Sequence, residues 1–289
     1  MAAATRLGYH VNLAARALVS RHSGLVGVAV ETLTDPLAAG IVAALEGSLR
    51  AAGYSTLLAV RTDSSDPAQG TRALLGCGAE ALVFVGAAPL AAEMVLLGRT
   101  ALPWVCVSDA PGAAPLAVTT GRLRGGALAA QYLLELGHRR FGVIAPAGSE
   151  TRRAVAAALA ERGAILVAAA DTGRGTESDR ARGAIRSLLD RNPLPTAIVC
   201  SGDLEALAAA RECAIRRIGV PGGISIVGFG DLEFARHLSP ALTTLRISAA
   251  AVGEQAGSAV IAALRGQPMP PSEVPVKLVV RETTGPPQG

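Results

Sequence analysis

The sequence has few aromatic residues, few charges and few cysteines, and each scarcity weakens the case for one class of function. Phe, Trp and Tyr make up 3% of the 289 residues, which argues against ring platforms that stack bases or sugars. Charged residues make up 17% and leave a formal net charge of +4, which a solvated surface explains. Half of the residues are hydrophobic, so the chain is expected to fold into a globular protein long enough for two lobes.

The four cysteines do not suggest a metal site or a disulfide framework. They stand at positions 77, 106, 200 and 213 without any C-x-x-C spacing, and two lie in apolar, strand-like runs. Buried, reduced thiols in a cytoplasmic protein are the favoured interpretation. The His, Cys and carboxylate spacings offer no metal triad, so neither a metal ion nor a cofactor is predicted.

The sequence also has little that would direct it to a membrane. The first residues, MAAATRLGYHVN, lack the continuous apolar segment of a signal peptide. No apolar run is long enough to span a bilayer. The chain is therefore expected in the cytoplasm, without a membrane partner.

What the sequence does contain is two series of short apolar strands that alternate with helices. The first series has strands at 25–30, 55–60, 81–86 and 104–108, and the second at 141–146, 165–170, 197–201 and 225–230. Continuous apolar strands separated by helices are typical of a parallel sheet covered on both faces. The sequence thus predicts an α/β fold of two doubly wound parallel-sheet lobes. The leftover elements at 242–248, 249–264 and 274–282 suggest that the chain crosses between the lobes more than once.

No arrangement of residues points to catalysis, so no enzyme is predicted. His138 follows a helix-ending glycine in LGHRRFGVI without a nearby nucleophile, and helix capping is favoured over general-base work. The sequence has no G-x-S-x-G elbow and no P-loop. The GRLRGG run at 121–126 resembles a phosphate-binding loop only loosely.

Four aspartates stand at the ends of predicted strands. They are Asp35, Asp109, Asp203 and Asp231. The carboxyl ends of parallel strands lie at one edge of a sheet, where a small ligand would bind in the cleft between two lobes. Two interpretations stay open: the aspartates accept hydrogen bonds from a polyhydroxylated ligand, or each caps the helix that follows it.

Seven short motifs follow one another along the chain. In order they are LGYHVNLAARALVS, GLVGVAV followed by TDP, LLELGHRRFGVI, TAIVCSGDLEAL, IGVPGGISIVGFGDLEFA, SPALTTLRI and LVVRETT. Together they resemble the lactose-repressor/purine-repressor (LacI-type) family of bacterial transcription regulators, nearly end to end. The resemblance implies two lobes joined by three crossovers near 120, 247 and 275, as in periplasmic sugar-binding proteins. It implies a remnant of a DNA-binding domain with its hinge helix at 1–22, an N-terminal lobe at 23–120 plus 248–273, and a C-terminal lobe at 121–247 plus 274–289.

The resemblance also implies a homodimer that binds operator DNA. In the family, a short hinge helix enters the minor groove and kinks the duplex with an inserted leucine. Here the hinge is NLAARALVS at 12–20, with Leu18 in the wedge position. The hinge residues are Asn12, Ala15, Arg16 and Leu18. The helix-turn-helix of the family is not part of this sequence, so operator DNA is expected as a partner only if that module is present.

A small effector in the cleft is the other partner that the resemblance implies. The expected effector-binding residues are Thr34, Asp35, Asp109, Arg152, Asp203 and Asp231. The sequence departs from the family pattern at Gly202-Asp203, where Asn-Asp is usual, and at Gly230-Asp231, where aspartate and a second acid are usual. The runs GFGDLEFA and ECAIRR resemble gluconate-type repressors, which favours a sugar acid paired with Arg152 or Arg153.

Two other classes remain open at the sequence level. A periplasmic-type sugar-binding protein for transport would use the same fold, but it would need an export signal and no hinge helix. An enzyme on a doubly wound scaffold would need a nucleophile, a cofactor loop or a metal set. The regulator is the favoured hypothesis, with a sugar or sugar acid as its effector.

Overall fold

The computed structural model of the protein describes residues 22–61, 66–109, 116–172, 178–268 and 272–288. The hinge positions Asn12, Ala15, Arg16 and Leu18 lie outside these ranges, so their role stays a prediction.

Six parallel strands form the sheet of the first lobe, in the order β11-β5-β4-β3-β1-β2. The strands are β1 Leu25–Val30, β2 Ser55–Val60, β3 Ala81–Val85, β4 Trp104–Val107, β5 Leu116–Thr119 and β11 Ser272–Glu273. The helices around it are α1 Pro36–Ala51, α2 Gln69–Gly76, α3 Ala91–Leu97 and, from much later in the chain, α8 Ala249–Leu264. In β1, Val26 and Val28 join one core cluster and Ala29 joins another. The strand is thus buried on both faces, as its apolar sequence predicts.

The second lobe repeats this plan in the order β12-β10-β9-β8-β6-β7. Its strands are β6 Arg140–Ile144, β7 Ile165–Ala170, β8 Ala197–Cys200, β9 Ser225–Gly230, β10 Thr243–Arg246 and β12 Lys277–Val279. Its helices are α4 Arg122–Glu135, α5 Glu150–Glu161, α6 Ser178–Leu189 and α7 Asp203–Ile215, and a 3₁₀ turn spans Glu233–Arg236. All strand pairs are parallel except β12, which runs antiparallel to β10.

The chain crosses between the lobes three times, from β5 to α4, from β10 to α8 and from β11 to β12. The predicted fold of two doubly wound lobes with three crossovers is confirmed. The third crossover falls at Pro275, where the chain passes from β11 in one sheet to β12 in the other. Proline has no N–H for a strand ladder, which favours the break.

His138 joins distant parts of the second lobe. The α4 helix ends in a Schellman motif, in which the backbone N–H of His138 donates to the Leu133 carbonyl oxygen at 3.1 Å. The imidazole ring does not cap the helix, contrary to the sequence prediction. It is buried, with Nδ1 3.0 Å from Thr196 Oγ1 and Nε2 2.9 Å from the carbonyl oxygen of Gly285. The ring therefore ties the C-terminal segment to the sheet.

We expect the buried His138 ring to make folding sensitive to mild acid. Burial lowers the pKa of His138, although the Gly285 carbonyl acts in the opposite direction. The unfolded chain, with a histidine pKa of about 6.5, then binds the proton more readily than the folded one. The free energy of unfolding should fall as the pH drops below about 6.5, and this contribution should be constant at higher pH.

Urea titrations between pH 7.5 and pH 5.5 measure this contribution when the natural chain is compared with His138→Gln. All other titrating groups are shared, so the difference in pH dependence reports His138. An identical pH dependence in the two proteins would contradict the prediction.

Candidate functional site

Arg122 connects the carboxyl edges of the two sheets. It begins α4, directly after the first crossover, and its terminal Nη1 donates to the Ser201 carbonyl oxygen, which follows β8, at 2.8 Å. Its Nη2 lies 3.4 Å from the carboxylate of Asp35, which follows β1. The guanidinium carbon stands 5.1 Å from the centre of the Phe229 ring, at cation–π distance. These contacts bring the carboxyl edges of the two sheets together; the polar region between them, around Asp35, Arg122 and Ser201, is the interlobe cleft.

Arg122 is not among the site residues that the sequence predicts. The only signal was the GRLRGG run, which resembles a phosphate loop. The backbone of this run does not form a phosphate-binding loop, because its first N–H groups donate to the Asp109 carboxylate.

The carboxylate of Asp109 binds the backbone of the first crossover. Its oxygens accept from the N–H groups of Thr120, Gly121 at 2.9 Å and Leu123 at 3.1 Å. This is the helix-capping interpretation that the sequence left open. A ligand at Asp109 would have to compete with these three donors.

Asp35 caps a helix and also faces the cleft. One carboxylate oxygen accepts from the Leu37 N–H at 2.9 Å at the start of α1, and the other is the one that Arg122 approaches. The neighbouring Thr34 is exposed, and its hydroxyl lies 2.7 Å from that of Thr32. Thr34 is therefore accessible to solvent beside Asp35.

Asp203 is the most deeply buried of the predicted site residues, at 1% exposure. It accepts from the Thr244 hydroxyl at 2.5 Å and from the Leu232 N–H at 2.7 Å, and so joins α7 to the segments after β9 and in β10. Burial raises the pKa of Asp203, although these two hydrogen bonds act to lower it. Both carboxylate oxygens of Asp203 thus accept hydrogen bonds from other residues of the second lobe.

Glu205, in the first turn of α7, is a second acidic group near Arg122 that the sequence did not single out. Burial raises the pKa of Glu205, while the charge of Arg122 acts to lower it and those of Asp35 and Asp203 act to raise it. Arg122 therefore lies among the carboxyl groups of Asp35 and Glu205.

Asp231 lies in a cluster of arginines after β9. Its φ is +52°, in the left-handed region that few residues other than glycine adopt. Arg281 donates to one carboxylate oxygen at 2.6 Å, and Arg246 donates to the other from Nε at 2.5 Å. Burial alone raises the pKa of Asp231, but the two arginines more than offset this and the pKa lies below its usual value. Asp231 is therefore held as an anion.

Arg152 does not point into open space. Its Nη2 donates to the carbonyl oxygens of Ala145 at 2.7 Å and Ala170 at 3.0 Å, at the ends of β6 and β7. Arg153 lies 3.4 Å from Glu150 on its own helix. Nη2 of Arg152 is thus bonded at the carboxyl edge of the sheet, whereas its buried Nε has no hydrogen-bond partner among the described residues.

The cysteines of the described residues are free thiols. Burial raises the pKa of Cys106 to about 12 and that of Cys213 to about 11, and it raises the pKa of Cys200 as well. These three are buried as expected, whereas Cys77 is exposed. Within the described ranges, no three His, Cys, Asp or Glu residues come together as a metal site. None of the helices in those ranges is both long and apolar enough to cross a membrane.

Two doubly wound lobes with three crossovers and a polar cleft define a periplasmic-binding-protein-like core. A family model described as periplasmic binding protein-like domain matches residues 130–284, which is more than half of the chain. The chain belongs to this family, and it is similar to the effector-binding core of LacI-type transcription regulators.

The relatives that match are transcriptional repressors. The repressor PurR of Proteus mirabilis is 29% identical over 269 residues, which covers 89% of this chain and 78% of that protein. A dimeric lac repressor bound to operator and the anti-inducer ONPF has a TM-score of 0.88 at 22% identity, covering 98% of this chain and 88% of that one. The regulator CelR in complex with cellobiose has a TM-score of 0.79 at 25% identity, with 97% and 88% covered. The resemblance to LacI-type regulators is therefore confirmed.

Proposed function

We propose that the chain is the effector-sensing and dimerisation core of a bacterial transcriptional repressor. It binds a small sugar or sugar acid in the interlobe cleft, and binding controls its affinity for operator DNA. The contacts of Arg122 with Asp35 in one lobe and Ser201 in the other carry this proposal. A ligand at that point touches both lobes, and differential contact is what lets a ligand shift a conformational equilibrium.

A polyhydroxylated effector suits the groups that converge on the cleft. Carboxylates accept hydrogen bonds from hydroxyls, and a guanidinium donates to them. We assign direct contact to Thr34, Asp35 and Arg122, and to Asp231 the orientation of the arginines around it. We assign a positioning role to three residues whose bonds tie strand ends, the first crossover or helix α7 together, which are Asp109, Arg152 and Asp203. Support for this ligand class comes from CelR, solved with cellobiose, and from a regulator of Enterococcus faecium solved with ribose.

A homodimer in the cytoplasm is the proposed working form. The lac repressor that matches is a dimer on its operator. On this chain, Leu204, Leu207 and Ile215 leave an exposed apolar face on α7 that a second copy could cover. Operator contact is assigned to the hinge positions Asn12, Ala15, Arg16 and Leu18, together with a helix-turn-helix module. The proposed lobe boundaries are 23–120 plus 248–273 and 121–247 plus 274–289.

The other two classes receive less support. The matching relatives are repressors rather than transport proteins, and repressors are not enzymes. We therefore propose no catalytic activity and no cofactor.

A thermal-shift panel of sugars, sugar acids and purines tests the proposed function. At about 100 times its Kd, a ligand of the folded state adds about 2.7 kcal/mol to the free energy of unfolding, so a true effector raises the melting temperature in proportion to the logarithm of its excess. Arg122→Met should lower the affinity for that ligand about tenfold, because a hydrogen bond to a charged group contributes about 1.5–3 kcal/mol.

Arg162→Met is the matched control, because Arg162 is an exposed arginine at the far end of α5. It should bind the ligand as the natural chain does. A panel without any stabilising compound, or a ligand that Arg122→Met binds with undiminished affinity, would refute the proposal.

A further inference from the structure

A small cavity beside Asp231 has an unusual concentration of arginines. Its volume is about 140 Å³. It is lined by Asp231, Leu232, Glu233, Arg236, Arg246 and Arg281. Three guanidinium groups face two carboxylates, so the lining carries a net positive charge.

Two arginines of this cavity have N–H groups that make no hydrogen bond with the described residues. Arg246 reaches Asp231 through Nε alone, and its two terminal nitrogens make no hydrogen bond with the described residues. Arg236 uses one terminal nitrogen on Glu233. Both side chains are more than half exposed, at 57% and 56%, so a solute can reach them. Guanidinium groups bind carboxylates and phosphates through paired N–H donors.

The cavity lies on the same sheet edge as Arg122. Ser201 follows β8, Asp231 follows β9 and Arg246 ends β10, and these three strands are neighbours in the sheet. Neighbouring strands are about 4.8 Å apart, so the strand ends at Ser201 and Arg246 are separated by roughly 10 Å. One small elongated molecule can span that distance.

The charges along this edge are separated by sign. Around Arg122 the neighbouring groups are the carboxyls of Asp35 and Glu205. Around Asp231 the arginines outnumber the acids. Acidic acceptors suit the hydroxyls of a ligand, whereas the arginine-rich end suits an anion.

The backbone at Asp231 favours a fixed site. A non-glycine residue at φ +52° costs energy that its surroundings must offset. Here the two arginine bonds to Asp231 hold it, and Asp231 in turn fixes the directions of Arg246 and Arg281. The free donors of Arg246 are thus oriented before any ligand arrives.

We propose that this cavity binds the anionic group of the effector, a carboxylate or a phosphate ester, with Arg246 and Arg236 as its ligands. The inference rests on the proposed function for the polyhydroxylated remainder of the molecule. It moves the anion-binding role from Arg152 to the other end of the sheet edge. The effector class is then a sugar acid or a sugar phosphate.

Isothermal titration of the full chain tests the proposal with sodium D-gluconate, D-glucose 6-phosphate, D-glucose and inorganic phosphate. We expect gluconate or glucose 6-phosphate to bind at least tenfold more tightly than glucose. Whichever of the two binds more tightly identifies the anion as a carboxylate or a phosphate. Arg246→Met and Arg236→Met should each lower the affinity for the anionic ligand at least tenfold. Arg246→Lys, which keeps the charge, should lower that affinity less.

Two controls separate an anion site from damage to the fold. Arg162→Met removes one exposed arginine elsewhere in the same lobe and should leave every affinity unchanged. Circular dichroism melting confirms that each variant is folded, and Arg236→Met is the safest of them because its ion pair is with the exposed Glu233.

Equal affinity for the anions in the natural chain, Arg246→Met and Arg236→Met overturns the proposal. So does the absence of binding by gluconate, glucose 6-phosphate and phosphate alike. If the anion proposal fails in this way but a neutral sugar binds and Arg122→Met weakens its binding, the proposed function stands without the anion subsite. If inorganic phosphate binds through Arg246 and Arg236 but no sugar binds, the anion subsite stands and the proposed function fails.

Discussion

Replacing Gly253 by valine is expected to lower the free energy of unfolding by about 3 kcal/mol. Gly253 lies in α8 where that helix packs on α1. A Cβ atom there would meet the Ile41 carbonyl oxygen, Ala44 Cβ at 2.7 Å and the Leu45 backbone nitrogen at 2.8 Å. Two of these are backbone atoms of a buried helix and cannot turn aside. The two helices would have to separate, which would open the core of the first lobe.

Gly47→Ala in α1 is the matched control for this substitution. A Cβ at Gly47 would have nothing within 4 Å, and alanine is a better helix former than glycine by about 1 kcal/mol. Urea unfolding should therefore show Gly47→Ala slightly more stable than the natural chain and Gly253→Val far less stable. Equal stability of Gly253→Val and the natural chain would show that the contact between α1 and α8 is looser than described.

Replacing Asp203 by alanine is expected to cost about 3 kcal/mol of folding stability. The substitution leaves the buried Thr244 hydroxyl and the Leu232 N–H without their acceptor. Each buried group without a partner costs about 1–3 kcal/mol. Asp203→Asn, which keeps the shape but exchanges one acceptor for a donor, should lie between alanine and the natural residue.

Asp190→Ala gives the comparison for a surface carboxylate. Asp190 is two-thirds exposed and pairs with Arg216, so its loss should cost no more than about 1 kcal/mol. Equilibrium unfolding measures all three variants. If Asp203→Ala keeps full stability yet loses the effector, Asp203 is a direct ligand and its positioning role is wrong.

The sequence predicted the strands and helices because their signals are local. The run LVGVAV at 25–30 and the run ILVAAA at 165–170 are strands with the expected bounds, and the helix expected at 249–264 is also observed. The strands β5 and β11 were not predicted, since they have only four and two residues. Their pairing comes from the neighbouring sheet rather than from their side chains.

The site was predicted less well than the fold. The strand-end aspartates do lie where the strands end, but residue type did not reveal which of them bond to the protein. Asp109 binds three N–H groups more than ten residues away. Arg152, expected to face a ligand, donates to carbonyl oxygens at two strand ends.

The sequence by itself determined the two lobes, their crossovers and the family, because burial patterns and ordered motifs are properties of neighbouring residues. Only the tertiary structure decided that Arg122 spans the cleft, since its partners Ser201 and Asp35 are 79 and 87 residues away. The same holds for Arg281, which reaches Asp231 across 50 residues. A charged side chain takes its role from the partner that folding brings within about 3 Å, and no local pattern in the sequence specifies that partner.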